Sequence, residues 1–534
     1  MTDKIPKRWR PYALLAGFAL LYTAIHPNWF TAIHSNWSLC WAGWFAAVPL
    51  LLALRRAETW RRGFWYGWLG GFVAFLGVVG WLYKVGMYSA VGPRFGWIVG
   101  AFGAALLAAY LGLYVGLFGV LLVKAAPRSR YLYPPAAACF WALCEWLRSW
   151  MLTGFPWATL GASQWNCLPV AQLASLGGEP LISFVLMYVN AAVALIVMER
   201  PKWTRGLAWS SPALALCAFA FLYGAAALNQ KQPTDNAVRF AVVPGNIPQD
   251  ERWRRNALKE NFEHYMERME KAAQLKPDAV VLPETSVLLP ALDDAQRERF
   301  EQFPKTHGVD LLYGAPRRDP DTLSYFNSAV AVDHEEGPRQ FYNKQHLVPF
   351  GEYIPLRSLL PGFIVEKVIG IGDYAFGEQA NLLEIAGTKA GVPICFESVF
   401  SEISREFVRN GADLLIVLTN DGWYDGTPAI PQHNVCSVFR AIETRRWLVR
   451  AANRGVTCFI DPYGRIVGDR VEASDRNGVI AAEVSTRTDQ TLYVRWGNWV
   501  SFLSIFASLA LIAVMIIRGR REEREKWQAK SPQN

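Results

Sequence analysis

The sequence predicts a polytopic α-helical membrane domain with an α/β layered domain inserted before its last helix. Three observations carry this. Residues 11–228 are dominated by long uncharged runs. Residues 229–495 are rich in charge and alternate strand-like with helix-like segments, and residues 496–517 are apolar again before a basic tail at 518–534. At 534 residues, 52% of them hydrophobic and 23 of them Trp, with a mean hydropathy of +0.12, the chain is too long for one ordinary domain and too apolar for an ordinary soluble enzyme.

A membrane-crossing helix takes roughly 20 mostly apolar residues. Candidate spans lie at about 11–27, 36–54, 63–83, 95–123, 134–152, 175–198 and 208–228, with a further one at 496–517. The first is short and follows Lys4, Lys7, Arg8 and Arg10, a pattern shared with signal peptides. With further spans directly after it and no clear small-residue cleavage site, it reads as a retained helix. Basic residues alternate along the loops. Arg55, Arg56, Arg61 and Arg62 precede the third span, Lys124, Arg128 and Arg130 follow the fourth, and Arg200, Lys202 and Arg205 follow the sixth. Arg518, Arg520, Arg521, Arg524 and Lys526 follow the last. The intervening loops 28–35 and 153–167 carry no Lys or Arg, and 84–94 carries Lys84 and Arg94. The positive-inside rule then puts both termini in the cytoplasm and residues 229–495 on the outer side, with seven helices in 1–228 and an eighth at 496–517. The net charge of +9 reports this topology; no basic stripe interleaved with aromatics points to nucleic acid.

In the outer domain, "AVRFAVVPGNIP" (237–248) opens with a β-branched run, and 253–273 repeats apolar side chains at helical spacing. "PDAVVLPET", "DLLYGAP", "SAVAVD", "GVPIC" and "ADLLIVLTND" read as strands, with helices near 401–410 and over 431–452, and "VTCFID", "GRIV" and "GVIAAEV" finish as strands. Continuous apolar strands alternating with helices argue for a layered α/β sandwich. Polar residues at strand ends are where chemistry is sought. Glu284 ends "VVLPE", Lys344 lies in "FYNKQHLVPFGEYIP" and Cys395 ends "GVPIC". Each also has a structural reading: a helix cap, a solvated lysine and a core thiol. The eight cysteines place only Cys395, Cys436 and Cys458 in the outer domain, and an odd number in an oxidising compartment leaves at least one unpaired or intermolecular. No H-E-x-x-H site, Walker A loop or G-x-S-x-G elbow occurs, and none of the seven histidines opens an H-x4-D box. No cofactor or metal is expected.

Together, "LPET" with Glu284, "NKQHLVPFGEYIP" with Lys344 and "PICFES" with Cys395 resemble the Glu–Lys–Cys triad of the nitrilase superfamily, in the same order. "LTNDGWYDGTPAIPQH" (418–433) and "RAIETRRWLVRAANRG" (440–455) resemble later segments of that αββα sandwich. The arrangement of seven spans, nitrilase-like domain and one span resembles the apolipoprotein N-acyltransferase family of Gram-negative inner membranes over nearly the whole chain. That includes "FWALCEWLRSW" (140–150), "TGFPWATLGASQW" (153–165) and "PGNIPQDERW" (244–253). The resemblance implies Glu284 as general base, Lys344 as oxyanion stabiliser and Cys395 as nucleophile. It implies support from Glu352, Glu397, Trp253 and Phe396, the last standing where the family often has Tyr. It further implies a phospholipid acyl donor, a diacylglyceryl-modified apolipoprotein acceptor and a periplasmic site. Such chemistry suits these residue types. A base removes the thiol proton, an ammonium meets the charge on the carbonyl oxygen, and the thioester formed is activated towards amines. A membrane-tethered amidase hydrolysing a small amide is the alternative enzyme, and a transporter with an outer binding module is a third reading. "LLPGFIVEKVIGIG" (359–372) is either core or a lid dipping into lipid. Glu145 and Arg148, three apart in the fifth span, are expected to pair with each other.

Overall fold

The computed structural model describes residues 6–28, 39–89, 91–125, 129–230, 236–252, 255–288, 292–335, 339–355, 357–359, 362, 373–471 and 478–530. The N-terminal half is helical: α1 (Arg10–Ala24), α2 (Val48–Leu54), α3 (Trp60–Val79), α4 (Leu82–Gly86), α5 (Pro93–Ala125), α6 (Tyr133–Trp150), α7 (Leu168–Ala171), α8 (Ala174–Glu199) and α9 (Trp203–Leu228). Among the described residues, α5, α8, α9 and the start of the C-terminal helix (Trp499–Arg518) are long and apolar enough to cross a membrane. Other predicted spans are shorter, interrupted or charged. The second is not one helix. A 3₁₀ turn at Cys40–Trp44 precedes α2, and Pro49 sits at the start of α2. The backbone freed at this break is satisfied by a side chain. The Ala47 N–H donates to Asn190 Oδ1 at 2.8 Å, and Asn190 Nδ2 donates to the Gly43 carbonyl at 3.0 Å. Broken helix at such a position is tolerated because neighbouring helices re-satisfy it. Helices α3 and α5 pack through glycines: a Cβ on Gly67 would collide with the Val115 carbonyl, and one on Gly119 with that of Gly63. Small residues let backbones approach where no hydrophobic effect drives them together.

The α/β part holds β1 (Ala237–Val242), α10 (Arg255–Gln274), β2 (Ala279–Val281), α11 (Asp294–His307), β3 (Asp310–Arg318), β4 (Tyr325–Val332), β5 (Gln340–Asn343), β6 (Leu383–Ile385) and β7 (Thr388–Gly391). It continues with α12 (Ser401–Arg409), β8 (Leu414–Thr419), α13 (Ala429–Thr444), β9 (Leu448–Ala452), β10 (Thr457–Ile460), β11 (Ile466–Val471) and β12 (Ile480–Ser485). A short α14 (Leu492–Trp496) leads into α15 (Trp499–Lys530). Two six-stranded sheets form, ordered β12-β1-β2-β3-β4-β5 and β11-β10-β9-β8-β7-β6. Period-two alternation sorts the first sheet. Ala241, Val280, Leu282, Leu311, Tyr313 and Val330 pack with Phe262, Met266, Met269, Phe300 and Phe303 of α10 and α11. Phe240, Val242, Ala279, Val281, Leu312 and Ala329 turn the other way and join the core of the second sheet. This is the expected αββα order of layers.

One helix joins the two halves. From Gln432 to Thr444 every residue of α13 is buried, because one side of the helix covers the second sheet and the other packs on α8. Arg440 Nη2 reaches Glu179 Oε1 of α8 at 2.7 Å, while its Nε meets Glu443 at 2.8 Å. The predicted helix over 431–452 is shorter than expected. It ends at Thr444, Arg445 takes a left-handed conformation (φ 53°), and 448–452 is strand β9. The buried run "LVRAA" pairs with β8 and β10 instead of continuing a helix. Beyond the last span, the tail stays helical to Lys530. The pairing expected of Glu145 and Arg148 is absent. Glu145 Oε1 accepts the Leu160 N–H (2.8 Å) and Arg148 Nη1 donates to the Trp157 carbonyl (3.0 Å), so both brace the 155–160 loop. Buried backbone groups of that loop need partners, and they take both side chains in place of the direct ion pair. The 359–372 segment lies almost entirely outside the described residues.

Candidate active site

Every strand that carries a predicted site residue delivers it just past its C-terminal end. Glu284 follows β2, Lys344 follows β5, and Cys395 opens a 3₁₀ turn (Cys395–Val399) four residues beyond the end of β7. Strand-like pairing persists to the residue before the cysteine, through an Ile394–Leu418 bridge. Cys395 itself is left-handed, at φ 51°. For a non-glycine residue that costs of order 1–3 kcal/mol and persists only where the surroundings impose it.

The structure gathers Glu284, Lys344 and Glu352 into one buried ion cluster. Lys344 is 1% exposed, and its Nζ lies 3.3 Å from Glu284 Oε1 and 2.9 Å from Glu352 Oε2. Burial alone would lower the Lys344 pKa; the charges of Glu352 and then Glu284 overcome it and raise the pKa, so the ammonium is held charged. Asn327 of β4, which sequence reasoning missed, bridges the two acids: its Nδ2 donates to Glu284 Oε1 at 2.8 Å and to Glu352 Oε1 at 2.7 Å. The pairing of β4 with β3 on one side and with the Lys344 backbone N–H on the other puts that amide beside them, and no local motif signals it.

The Cys395 thiol senses this cluster. Burial pushes its pKa up, the charge of Glu284 pushes it further, and Lys344 opposes both. Of the two carboxylates whose charge acts on the thiol, Glu284 acts more strongly and Asp421 less; a buried thiol attacks only when a base takes its proton.

Glu397 has a different part. Fully buried, its Oε1 accepts from Tyr342 Oη (2.8 Å), the Gln345 N–H (2.6 Å) and the His346 N–H (3.1 Å), and its Oε2 from the Ile394 N–H (2.7 Å). It therefore ties the Lys344 loop to the Cys395 turn. Burial pushes its carboxyl up to about 7 against the Ile394, His346 and Tyr342 donors and the charge of Lys344. Phe396 packs its half-buried ring among Phe155, His346 and Phe400, with centroids 5.2–6.3 Å apart, so the position serves by ring packing alone. Trp253 lies outside the described residues. Behind the thiol, His433 lies 2.8 Å from Asp421, which is also paired with Arg450 at 2.9 Å. Against burial, which would raise it, His433 and Arg450 hold the Asp421 carboxyl down at about 2.

The membrane half forms one wall of the site. Phe155 stacks towards Phe396, and Trp157 lies over the His433 ring at 5.6 Å and 27°. The indole N–H groups of Trp81 (3.0 Å) and Trp157 (2.7 Å) both donate to Gln432 Oε1, and Gln432 Nε2 donates to the carbonyls of Pro27 (2.7 Å) and Val78 (3.2 Å). Chemically, the arrangement offers a thiol, a carboxylate base and a fixed ammonium at an enclosed boundary between a helical membrane half and an α/β domain.

Residues 12–192 match the family described as Apolipoprotein N-acyltransferase N-terminal domain, and residues 239–493 match Carbon-nitrogen hydrolase. The apolipoprotein N-acyltransferase of Geobacter metallireducens is 31% identical over 531 residues, covering 97% of this chain and 96% of that protein. That of Gloeobacter violaceus is 33% identical over 502 residues, covering 90% and 91%. Among solved structures, Nit3 of Saccharomyces cerevisiae, a member of branch 10 of the nitrilase superfamily, is 18% identical. It covers 47% of this chain and 90% of that one at a TM-score of 0.35.

Proposed function

The chain belongs to the apolipoprotein N-acyltransferase family, and on that premise we propose that it moves an acyl chain from a phospholipid, through a thioester on Cys395, to the N-terminal amine of a diacylglyceryl-modified lipoprotein. The observation that carries this reading is the buried Glu284–Lys344–Cys395 group walled by the Phe155–Trp157 loop of the membrane half. In the first half-reaction Glu284 takes the thiol proton as the sulfur attacks the ester carbonyl. Lys344 meets the charge on the carbonyl oxygen. The C–O bond breaks, and the leaving lysophospholipid oxygen takes the proton back from Glu284. In the second, the lipoprotein amine attacks the thioester, the C–N bond forms as C–S breaks, and the amine proton passes by way of Glu284 to the departing sulfur. Two half-reactions sharing one site give ping-pong kinetics.

The decisive assay supplies phospholipid and a peptide bearing an N-terminal diacylglyceryl-cysteine. An amide-linked acyl chain on the peptide, read by mass spectrometry, is the expected product. Free fatty acid with unmodified peptide would show water as the acceptor and contradict transfer; hydrolysis of a small amide, with phospholipid untouched, would give the amidase reading.

The alternating loop charges support both termini in the cytoplasm of a Gram-negative cell, with the domain 229–495 in the periplasm between a seventh and an eighth membrane passage. A membrane-impermeant thiol probe is expected to label a cysteine introduced in the 229–236 linker on intact spheroplasts, and one placed after Arg520 only after lysis. The reverse pattern contradicts a periplasmic site and an outer-leaflet donor.

A further inference from the structure

Among the described site residues, Cys395 is the one whose backbone is held in an unfavoured conformation, so something must hold it there. Its carbonyl oxygen shows what does. Ser398 Oγ donates to it at 2.8 Å, and His433 Nε2 lies 3.2 Å from it and 3.0 Å from Ser398 Oγ. A carbonyl only accepts, so this contact is a hydrogen bond in the form of the ring that carries a hydrogen on Nε2; without that hydrogen, Nε2 accepts from Ser398 Oγ instead. On the ring's other side, Nδ1 faces Asp421 Oδ1 at 2.8 Å, with Arg450 Nη2 at 3.2 Å and the Tyr424 hydroxyl at 3.4 Å. The imidazole is 1% exposed and makes none of the contacts that the acyl-transfer steps require. Its orientation is fixed from two directions. Asp421, anchored by Arg450 and by the Thr419 hydroxyl (2.9 Å), sets one edge. Trp157 of the membrane half covers one face and also bonds the neighbouring Gln432.

We propose that His433 is a positioning residue that locks Cys395 in its left-handed, attack-ready conformation, and that Trp157 of the membrane half holds His433 in place, so that the nucleophile is seated only when the two halves are docked. The inference rests on Cys395 being the acylated residue. It assigns the membrane half a part in the chemistry beyond anchoring. A shift of about 1 Å in a reacting atom can cost about 10²-fold in rate, so a clamp one bond from the nucleophile's Cα has that leverage.

The experiment uses the full-length enzyme in detergent and three readouts: acyl-enzyme formation against phospholipid concentration, alkylation of Cys395 by iodoacetamide, and melting temperature. His433→Leu fills the slot without a donor. His433→Gln returns an N–H near the Nε2 position, and Trp157→Phe keeps the ring while Trp157→Leu removes it. His433→Leu and Trp157→Leu are expected to slow both acylation at saturating phospholipid and alkylation by on the order of 10²-fold, with half-saturation unchanged. His433→Gln and Trp157→Phe are expected to recover most of the loss. Equal losses in His433→Gln and His433→Leu would overturn the proposal, as would slowed acylation with normal alkylation, or rates close to wild type in both Leu variants. A wild-type enzyme that is acylated elsewhere than at Cys395 would instead defeat the reading of the site itself.

Discussion

Cys395→Ala is expected to abolish acyl-enzyme formation and transfer together, while Cys436→Ala and Cys458→Ala retain both. Removing a nucleophile that works as a unit with its base typically costs on the order of 10⁶ in kcat. The other two thiols of this domain are buried elsewhere: the charges that act on Cys436 are those of Glu179, Arg440, Arg450 and Glu443, not of Glu284 and Lys344. Cys436 lies inside α13 with its sulfur against the Gln432 carbonyl at 3.7 Å, and Cys458 is in β10 beside Asn434 Oδ1 at 3.8 Å. Glu284 and Lys344 both act on the Cys395 thiol, and it is the cysteine held at a positive φ. Cys395→Ser keeps the geometry but gives a less activated ester, so it should acylate slowly and transfer more slowly still. The check is radiolabelled acyl incorporation from phospholipid in each variant; incorporation by Cys395→Ala at the wild-type level removes the assignment.

Lys344→Arg and Glu284→Gln should each lose on the order of 10²–10³ in rate, but should separate with pH. Lys344 is enclosed by Glu284 and Glu352, with Asn327 linking those acids, and this cage is shaped for a point charge. A planar guanidinium keeps the charge but not the fit, so both half-reactions suffer, because each passes through a tetrahedral oxyanion. Glu284→Gln removes the base and also one of the charges that raises the Cys395 pKa, leaving burial as the main cause. Below that pKa the thiolate fraction grows about tenfold per pH unit. Acyl-enzyme formation in Glu284→Gln should therefore climb steeply with pH, since unaided ionisation replaces the missing base. Lys344→Arg still has Glu284 and should run parallel to wild type. Single-turnover acylation rates across the alkaline range provide the comparison. Rescue of Lys344→Arg with a flat Glu284→Gln profile would exchange the two roles.

Where a residue's placement follows from a local run, the sequence marked it. "VVLPE" and "VPIC" each end an apolar run on a reactive side chain, and "YNK" sets Lys344 just past β5; the structure then joins Lys344 to Glu284 and Glu352, with Glu284 and Lys344 close enough to act on the Cys395 thiol. Long apolar runs likewise marked α5, α8, α9 and the last span. What stayed hidden depends on contacts distant in sequence. Asn327 is placed by the pairing of β4 with β3 and by the Lys344 N–H on its carbonyl, and Gln432 and His433 by the meeting of α13 with residues 27, 78, 81 and 157. Helical spacing suggested that Glu145 and Arg148 would pair, yet a buried loop with unmet backbone groups took both side chains. The second span failed as a single helix because Asn190, far along the chain, satisfies its break.

The central claim is that one thiol carries the acyl chain between donor and acceptor. Intact-protein and peptide mass spectrometry after incubation with phospholipid alone tests it most directly. The account predicts one added acyl mass, located on the peptide containing Cys395, labile to hydroxylamine as a thioester and discharged when diacylglyceryl-cysteine peptide is added. An unmodified enzyme, or an acyl group on any other residue that still passes to the peptide, would contradict it.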